Sequence, residues 1–433
     1  MSEDQVRVSF RTLGCKVNRV ESEDIAADLL GRGVALSADD DADVVVINTC
    51  TVTAEADAKA RKTVRHALAA PGRPVVVVTG CLAAVDPMAL EALGERVVVE
   101  PDKERVAGRV AEFLGIDPNA PHSHVVRAGE GFRTRAMLKV EDGCDVFCSY
   151  CIVPHARGGP RGVPLAAAVS EARALVEHGV KEIVLTGINL GRYRDGSDDL
   201  ASLVSAVGET GVPRLRLSSI EPPDLTEQLL ETLAATPALC RHLHVPLQSG
   251  SDSVLSAMRR NYTVDEYRAL VSAAKDALPG LSVTTDVMVG FPGETEEDAE
   301  QTRALCEEIG FAKLHVFRYS VRPGTPAAEM AQIDPRAKAS RAARLRQTGD
   351  SLRAQFLQGH AGASAEVLLE RERPPDVFEG TTRDYVKVRL QRLHPALAED
   401  DAELGVGDVV EVMLGEPYGD GLEGWLPAAR NAE

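Results

Sequence analysis

Three cysteines within eight residues constrain this chain more than any other feature. Cys144-Asp-Val-Phe-Cys148-Ser-Tyr-Cys151 follows directly on the run that ends Lys139-Val-Glu-Asp-Gly. Thiols with three and then two residues between them are too close for disulfides to be the obvious reading, and three thiolates leave a tetrahedral centre one ligand short. A structural zinc site usually completes its four ligands, whereas an iron-sulfur cluster can hold three irons by cysteine and keep the fourth open.

At 433 residues and 44% hydrophobic content the chain has room for roughly two to four domains with ordinary packed cores. The opening Met-Ser-Glu-Asp-Gln is acidic, and no run approaches the ~20 apolar residues of a membrane helix, so a cytoplasmic location without a membrane partner is expected. In a reducing compartment eight cysteines read as metal ligands where clustered and as packed thiols where scattered, Cys240 and Cys306 among the latter. A net charge of −18 counts against broad non-specific binding to nucleic acid, although a local basic groove can sit on an acidic protein.

Residues 1–115 alternate short β-branched runs with helical stretches. Val6 to Phe10, Asp43 to Asn48 and Pro74 to Thr79 read as strands buried on both faces, as a parallel α/β sheet requires. Glu21 to Arg32 and Glu55 to Ala70 read as the helices between them, the first stopped by Gly31 and Gly33. A cysteine lies just past each strand, in Leu13-Gly14-Cys15, Asn48-Thr49-Cys50 and Thr79-Gly80-Cys81. The carboxyl ends of parallel strands share one sheet edge, where such folds build their sites, so these three can converge. Three separate core cysteines is the plainer alternative.

Residues 116–133 read as a linker, and a second β/α series occupies 134–360. Its candidate strands are Ala136 to Glu141, Glu182 to Thr186, Arg214 to Ser219, His242 to Leu247, Ser282 to Val289 and Lys313 to Tyr319. Six alternating units predict parallel pairing but are too few to close an eight-unit barrel, so an open partial barrel with its site at the strand carboxyl ends is expected. The three-cysteine loop follows the first of these strands. Pro335 to His360 is helical and basic, with Arg341, Arg344 and Arg346 at its centre, and it is the place where positive charge concentrates, which predicts a face toward a polyanion. Residues 361–433, with strand-like Ala365 to Leu369, Tyr385 to Leu390 and Val409 to Leu414, predict a small all-β module, and the run Glu399 to Glu403 reads as a solvated loop.

A cluster on Cys144, Cys148 and Cys151 would leave an iron able to chelate a molecule offering both an amine and a carboxylate, and S-adenosylmethionine offers that pair. Thiolate-bound clusters reach potentials near roughly −400 mV. One electron passed to the sulfonium would release a 5′-deoxyadenosyl radical able to take hydrogen from an unactivated carbon. Tyr150 is suited to cover the adenine face, or simply to pack.

Cys144-x-x-x-Cys148-x-x-Cys151 resembles the radical S-adenosylmethionine signature, and Asp286-Val-Met-Val-Gly290-Phe-Pro-Gly293-Glu294 looks like the glycine-rich adenine-contacting motif of that superfamily. With Cys15, Cys50 and Cys81 upstream and a β module downstream, the chain resembles the methylthiotransferases over essentially its whole length. The resemblance implies an N-terminal parallel α/β domain, a central open (β/α)6 radical S-adenosylmethionine partial barrel and a C-terminal TRAM-like β domain that helps hold RNA. It implies two [4Fe-4S] clusters, one on Cys144, Cys148 and Cys151, and an auxiliary one on Cys15, Cys50 and Cys81. Within the family, Thr12 to Glu23, with Lys16-Val17-Asn18 after the first cysteine, and Asn48 to Arg61 look like the branch that modifies tRNA N6-threonylcarbamoyladenosine beside the anticodon. The isopentenyladenosine branch more typically carries Gln-Met-Asn there, and the ribosomal-protein aspartate branch Pro-Lys-Asn. The implied reaction has two stages: one S-adenosylmethionine methylates a sulfur on the upstream cluster, then the radical from a second abstracts the hydrogen from C2 of the adenine and carbon-sulfur bond formation gives the 2-methylthio base.

The same resemblance points to S-adenosylmethionine contacts at Tyr150, Gly187, Glu221, Gln248 and Gly290. Glu221 and Gln248 can equally cap the helices that follow them, and no acidic residue follows Gly187 where many superfamily members bind the methionine amine. RNA contacts are expected at Arg341, Arg344, Arg346, Arg383 and Lys387, with the tRNA anticodon loop as macromolecular partner and a flavodoxin or ferredoxin type of electron donor. Arg157 and Arg161 have no assigned role, and Gly162 stands where the family usually has serine. The rival readings are methylthiolation of a ribosomal-protein aspartate and a non-catalytic iron-sulfur RNA-binding protein.

Overall fold

The computed structural model describes residues 6–118, 134–373, 377–391 and 404–427. The expected linker from 119 onward and the acidic run Glu399 to Glu403 lie outside the described residues. The chain forms two compact units that are interleaved in sequence where a consecutive order was expected. One contains residues 6–118, 141–161 and 320–329, the other 134–140, 162–319 and the described residues from 330 on.

In the first unit a five-stranded parallel sheet is ordered β2-β1-β3-β4-β5, with β1 at Arg7–Thr12, β2 at Ala35–Leu36, β3 at Val44–Thr49, β4 at Val75–Gly80 and β5 at Val97–Val99. Successive residues of a strand point to opposite faces. Val45, Ile47, Val76 and Val78 accordingly pack with Ala60, Val64 and Ala67 of the helix Ala54–Leu68, while Val44, Val46 and Val77 pack with Ile25, Leu29, Val106 and Val110 on the other side. Each such side chain contributes about 1.5–3 kcal/mol on burial, which is why an unbroken valine run here is a central strand. Strands β2 and β5, with two and three residues, are too short to show a period.

The helix expected from Glu21 starts five residues earlier, at Lys16, with Cys15 as its N-cap residue. Its buried face includes Asn18, Glu21 and Ser22 beside Val17, Val20 and Ile25. Polar groups on the inner face blur the apolar period, and they are inside because they bind one another and the sheet end.

The second unit holds six parallel strands, β6 (Arg135–Lys139), β7 (Glu182–Thr186), β8 (Arg214–Leu217), β9 (His242–His244), β10 (Ser282–Val289) and β11 (Lys313–Arg318). They pair as β8-β7-β6 and β9-β10-β11, and parallel bridges Leu215 to Leu239 and Ser219 to His244 join the two sets into an open partial barrel. Strand β9 is shorter than expected: Val245 N still donates to Thr284 O, but Leu247 N turns to the Thr285 hydroxyl in place of a β10 carbonyl. The tail closes a five-stranded barrel in the order β12-β13-β14-β16-β15, from Ser364–Arg373, Val377–Thr382, Lys387–Gln391, Val409–Tyr418 and Gly421–Trp425 in chain order. Leu357, at the end of the helix Pro335–Gln358, is part of that barrel's core.

The small barrel is fastened to the amino ends of β6, β7 and β8 by a buried ionic cluster. Glu182, fully buried, accepts from Arg214 Nε at 2.8 Å and Arg216 Nε at 2.8 Å, and Arg135 Nη1 stands 3.7 Å away. Arg214 and Arg216 donate onward to the carbonyls of Thr381, Thr382 and Arg383 in the small barrel. Tyr385 stacks on His242 at 4.5 Å and lies under Arg216. The carboxyl ends of the same strands are left for chemistry.

Candidate functional site

The upstream cysteines stand at the carboxyl ends of β1, β3 and β4, which are neighbours in the sheet. The register pairs Thr12 with Asn48, Asn48 with Thr79 and Thr49 with Gly80, so the chain enters Cys50 and Cys81 side by side. Asn18 ties this edge together, donating from Nδ2 to the carbonyls of Leu13 and Thr49, both at 2.9 Å. Asn48 Nδ2 donates to Asn18 O at 2.8 Å, and Cys15 Sγ lies 3.5 Å from Asn18 Oδ1. All three thiols are free, with Cys15 exposed, Cys50 half-buried and Cys81 buried. Burial pushes the Cys50 thiol up, and after the opposing bond from the Val52 backbone, Cys81 and Cys15 add to the rise. The sheet register, which brings the chain into Cys50 and Cys81 side by side, and the approach of Gly14 to Cys50 gather the three at one edge.

Glycine makes the close approach possible. A Cβ on Gly14, at φ +102°, would meet Cys50 Cβ at 2.7 Å, and one on Gly80, at φ +92°, would meet Asn48 Oδ1 and Thr49 O at 2.4 Å. Both backbone angles are ones that side chains disfavour.

Cys144, Cys148 and Cys151 belong to the same compact unit as Cys15, Cys50 and Cys81, which no local pattern could reveal. Gly143 repeats the device, since a Cβ at its φ of +104° would stand 2.1 Å from Gly159 O. Cys144 N donates to Gly158 O at 3.0 Å and Cys151 N to Cys148 O at 3.0 Å, which closes the loop on itself. Phe147, at its centre, is 53% exposed with φ +49°, and its ring meets His155 edge-on at 6.2 Å. Tyr150 is half-buried. All three cysteines are unbridged, and this donor set fits a cluster. Among the described residues no three His, Cys, Asp or Glu side chains are close enough to share one metal ion, whereas a four-iron cluster takes its thiols at separate corners.

Two struts that sequence reasoning left without a role connect these loops. Arg157, six residues past Cys151, is 1% exposed and reaches Cys81, Asn18, Glu21 and Asp142. The segment 320–329 forms the other. Arg322 Nη1 donates to Thr51 O at 2.9 Å and Asp57 Oδ2 at 2.8 Å, and Ala327 N donates to Ser149 O at 2.8 Å. The available signal was Arg322-Pro-Gly-Thr325 at the carboxyl end of β11, the edge where the other site residues lie.

In the second unit Gly187, Glu221, Gln248 and Gly290 all follow carboxyl ends of strands or their extensions. Glu221 makes no side-chain cap and pairs instead with Arg260. Gln248, at φ +62°, exchanges backbone bonds with Asp286 and Met288 of β10. Gly290, at φ +74°, has Lys338 so near that a Cβ would stand 2.4 Å from its Cγ. The N–H of Gly290 donates to Glu294 Oε2 at 2.7 Å. Gly162 also has a reason: a Cβ there would lie 2.2 Å from Arg194 O, so a serine would need that backbone to move.

The expected RNA contacts divide sharply. Arg341 is turned inward, donating to Glu294 Oε2 at 2.6 Å, and Arg344 pairs with Glu296. Arg383 donates to Glu366 and to the Pro213 carbonyl, so its charge serves the docking of the small barrel. A long-range carboxylate or carbonyl claimed each of these guanidinia. Arg346 is exposed. Lys387 pairs with Asp420 at 3.2 Å, and Arg373 and Arg371 stand 3.2 and 3.8 Å from Glu379; with Arg389 and Tyr418 they line a groove of about 1180 Å³ whose walls carry seven arginines and lysines against four carboxylates. Arg389 lies 4.5 Å over the Tyr418 ring. The C-terminal barrel itself contributes four cations and four carboxylates to those walls, so the basic excess comes from Arg135, Lys313 and Arg353 of the neighbouring strands and helix.

The radical SAM superfamily model matches residues 138–306, and the model described as Uncharacterized protein family UPF0004 matches residues 7–99. The chain is 38% identical to the threonylcarbamoyladenosine tRNA methylthiotransferase MtaB of Bacillus subtilis strain 168, over 96% of this chain and 95% of the relative. It is 34% identical to the protein of that name from Thermotoga maritima, over 93% and 98%, and 32% identical to a tRNA-2-methylthio-N(6)-dimethylallyladenosine synthase of Burkholderia cenocepacia strain HI2424, over 97% of each. Among solved structures, the radical S-adenosylmethionine methyltransferase TsrM of Kitasatospora setae shares the fold, with a TM-score of 0.57 at 16% identity over 75% of this chain and 74% of that one. The cofactors are S-adenosylmethionine and [4Fe-4S] clusters. Near-complete coverage by these relatives, and two three-cysteine sets in one compact unit, lead to one conclusion: the chain belongs to the radical S-adenosylmethionine methylthiotransferase family and is an enzyme that transfers sulfur-containing groups.

Proposed function

We propose that this enzyme adds a methylthio group to C2 of N6-threonylcarbamoyladenosine beside the anticodon of tRNA. The observation that carries the reading is the joint placement of both cysteine sets in one compact unit, supported by relatives whose printed names specify that nucleoside. Of Lys16-Val17-Asn18, Asn18 binds the strand ends and Val17 is buried, whereas Lys16 is exposed next to Cys15. The exposure of Lys16 supports a substrate contact at that member of the triplet.

In this reading Cys144, Cys148 and Cys151 hold the cluster at which S-adenosylmethionine is cleaved, and Cys15, Cys50 and Cys81 hold the one that carries sulfur. When bound, the clusters supply the electron for cleavage and the sulfur for transfer. The glycines before Cys15, Cys81 and Cys144 let the backbone close around those groups, and Asn18 keeps the ends of β1 and β3 in register. Tyr150, Gly187, Glu221, Gln248 and Gly290 serve as S-adenosylmethionine contacts, the last through its backbone. Lys387, Arg371, Arg373 and Arg389 offer phosphate contacts along the basic groove, with Arg346 as a further exposed cation. A flavodoxin or ferredoxin type of donor supplies electrons. The enzyme works in the cytoplasm, in keeping with the finding that no helix among the described residues is long and apolar enough to cross a membrane.

Mass spectrometry of tRNA nucleosides from cells lacking the gene tests the reading. The 2-methylthio form of threonylcarbamoyladenosine should disappear and return on complementation. Its persistence in a strain without a paralogue would refute the assignment. A chain with Cys15, Cys50 and Cys81 replaced by alanine should still produce 5′-deoxyadenosine while losing the methylthio product.

A further inference from the structure

The short helix Val153–Arg157 begins two residues after Cys151 and packs against the helix Cys81–Val85. Its last residue, Arg157, is 1% exposed, and all three guanidinium nitrogens are engaged. Nη1 donates to Glu21 Oε1 at 2.8 Å and Asp142 Oδ1 at 2.7 Å, and Nη2 donates to Asn18 Oδ1 at 2.6 Å. That leaves Nε, which points at Cys81 Sγ from 3.3 Å. Glu21 is held from its other side by Lys103 at 2.8 Å. Asp142 also has Arg161 at 3.9 Å, and with both Nη atoms held the guanidinium plane is fixed and the direction of its remaining N–H with it. That direction is the sulfur of one cysteine of the upstream triad.

We propose that Arg157 is a positioning residue of the sulfur-carrying site: its Nε–H donates to the Cys81 sulfur, making Cys81 a weaker electron donor to iron than Cys15 or Cys50. The inference rests on the assignment of Cys15, Cys50 and Cys81 to the auxiliary cluster. A hydrogen bond to a cluster thiolate draws charge off the sulfur and favours the reduced state, which raises the reduction potential. Burial strengthens the effect by keeping water from competing for the sulfur. The same guanidinium binds Asp142, two residues before Cys144, so one side chain is bonded both to an upstream cysteine and to the loop of the other triad. Lysine at this position would keep the charge and lose the fork, since one ammonium cannot hold Glu21, Asp142 and Asn18 while also donating to the sulfur.

The test uses full-length protein in which Cys144, Cys148 and Cys151 are alanine, so that iron is held upstream alone. Arg157→Lys and Arg157→Gln are compared with the Arg157 parent by EPR-monitored redox titration and by iron content. Both substitutions should move the upstream midpoint to a more negative potential. In the reciprocal background, with Cys15, Cys50 and Cys81 as alanine, Arg157→Lys should move the midpoint less than it does upstream, because Arg157 reaches that triad's loop through Asp142; an equal shift in both backgrounds would refute the bond to Cys81 as the cause. An upstream midpoint unchanged by both substitutions at full iron content would overturn the proposal. A parent that binds no iron would overturn the assignment of the upstream triad and the role of Arg157 with it. Should the variants fail to load, pulsed EPR of the parent labelled with 15N-arginine decides the matter: a 15N hyperfine coupling supports the bond to Cys81, and its absence refutes it.

Discussion

Replacing Glu182 by glutamine should undock the C-terminal barrel, and the size of the effect can be worked out from the ionic cluster it anchors. Burial raises a carboxylate, yet Arg216, Arg214 and Arg135 outweigh it and hold Glu182 at about 2 against an ordinary 4.5. At ~1.36 kcal/mol per tenfold change, that depression is worth roughly 3 kcal/mol of folding free energy at neutral pH. Removing one member of a buried ion pair costs about 3–5 kcal/mol by an independent route, because the partners left behind stay desolvated. The two figures agree, and the damage should fall on the barrel, since Arg214 and Arg216 also donate to its Thr381, Thr382 and Arg383 carbonyls. Trp425, the single tryptophan, lies in the last strand of that barrel, so its emission during urea unfolding reads the event directly. The sign with pH is fixed as well. A carboxylate whose folded value is depressed stabilises above its unfolded value of 4.5 and loses that contribution as pH falls toward about 2. The gap between native protein and Glu182→Gln should therefore be full at pH 7 and close under strong acid. A neutral-pH difference below about 0.5 kcal/mol, the size of an ordinary surface substitution, would refute the reasoning.

Changing Arg371, Arg373 and Lys387 to alanine should weaken tRNA binding and flatten its dependence on salt, by roughly 0.7–0.9 in slope for each phosphate no longer neutralised; filter binding across a salt series measures this, and an unchanged slope would remove the groove as an RNA face. Arg341→Ala should leave that slope alone and lower stability by about 3 kcal/mol, because it strands Glu294 in a buried position. Gly143→Ala should cost the Cys144 triad its iron while the upstream triad keeps its own, since the added Cβ would fall 2.1 Å from Gly159 O. Iron content in the two cysteine-to-alanine backgrounds distinguishes the sites.

The strands were legible wherever the signal was local. Runs such as Val44 to Ile47 and Val75 to Val78 can be buried only as central strands, and each is found there. The early start of Lys16–Gly31 was hidden because its inner face is polar, and the tail strands Val377–Thr382 and Gly421–Trp425 were hidden because glycine interrupts them. Arginine defeated sequence reading most often. Arg341, Arg344 and Arg346 look alike along one helix, yet the first is buried on Glu294, the second pairs with Glu296 and the third is exposed.

What the sequence determined alone is the inventory of chemistry: two sets of three cysteines, each set beyond the ends of parallel strands, with glycine ahead of Cys15, Cys81 and Cys144. Strand positions and strand ends follow from short-range patterns of burial and turn formation, so they can be read one segment at a time. Tertiary structure alone decided that both sets share a compact unit, that Arg157 aims an N–H at Cys81, and that Arg135, Lys313 and Arg353 join the C-terminal barrel in one groove with a basic excess. Each of those depends on partners far apart in sequence, 136 residues for Arg157 and Glu21 and 76 for Arg157 and Cys81. The charge on a side chain is written in the sequence, but its partner is chosen by the fold.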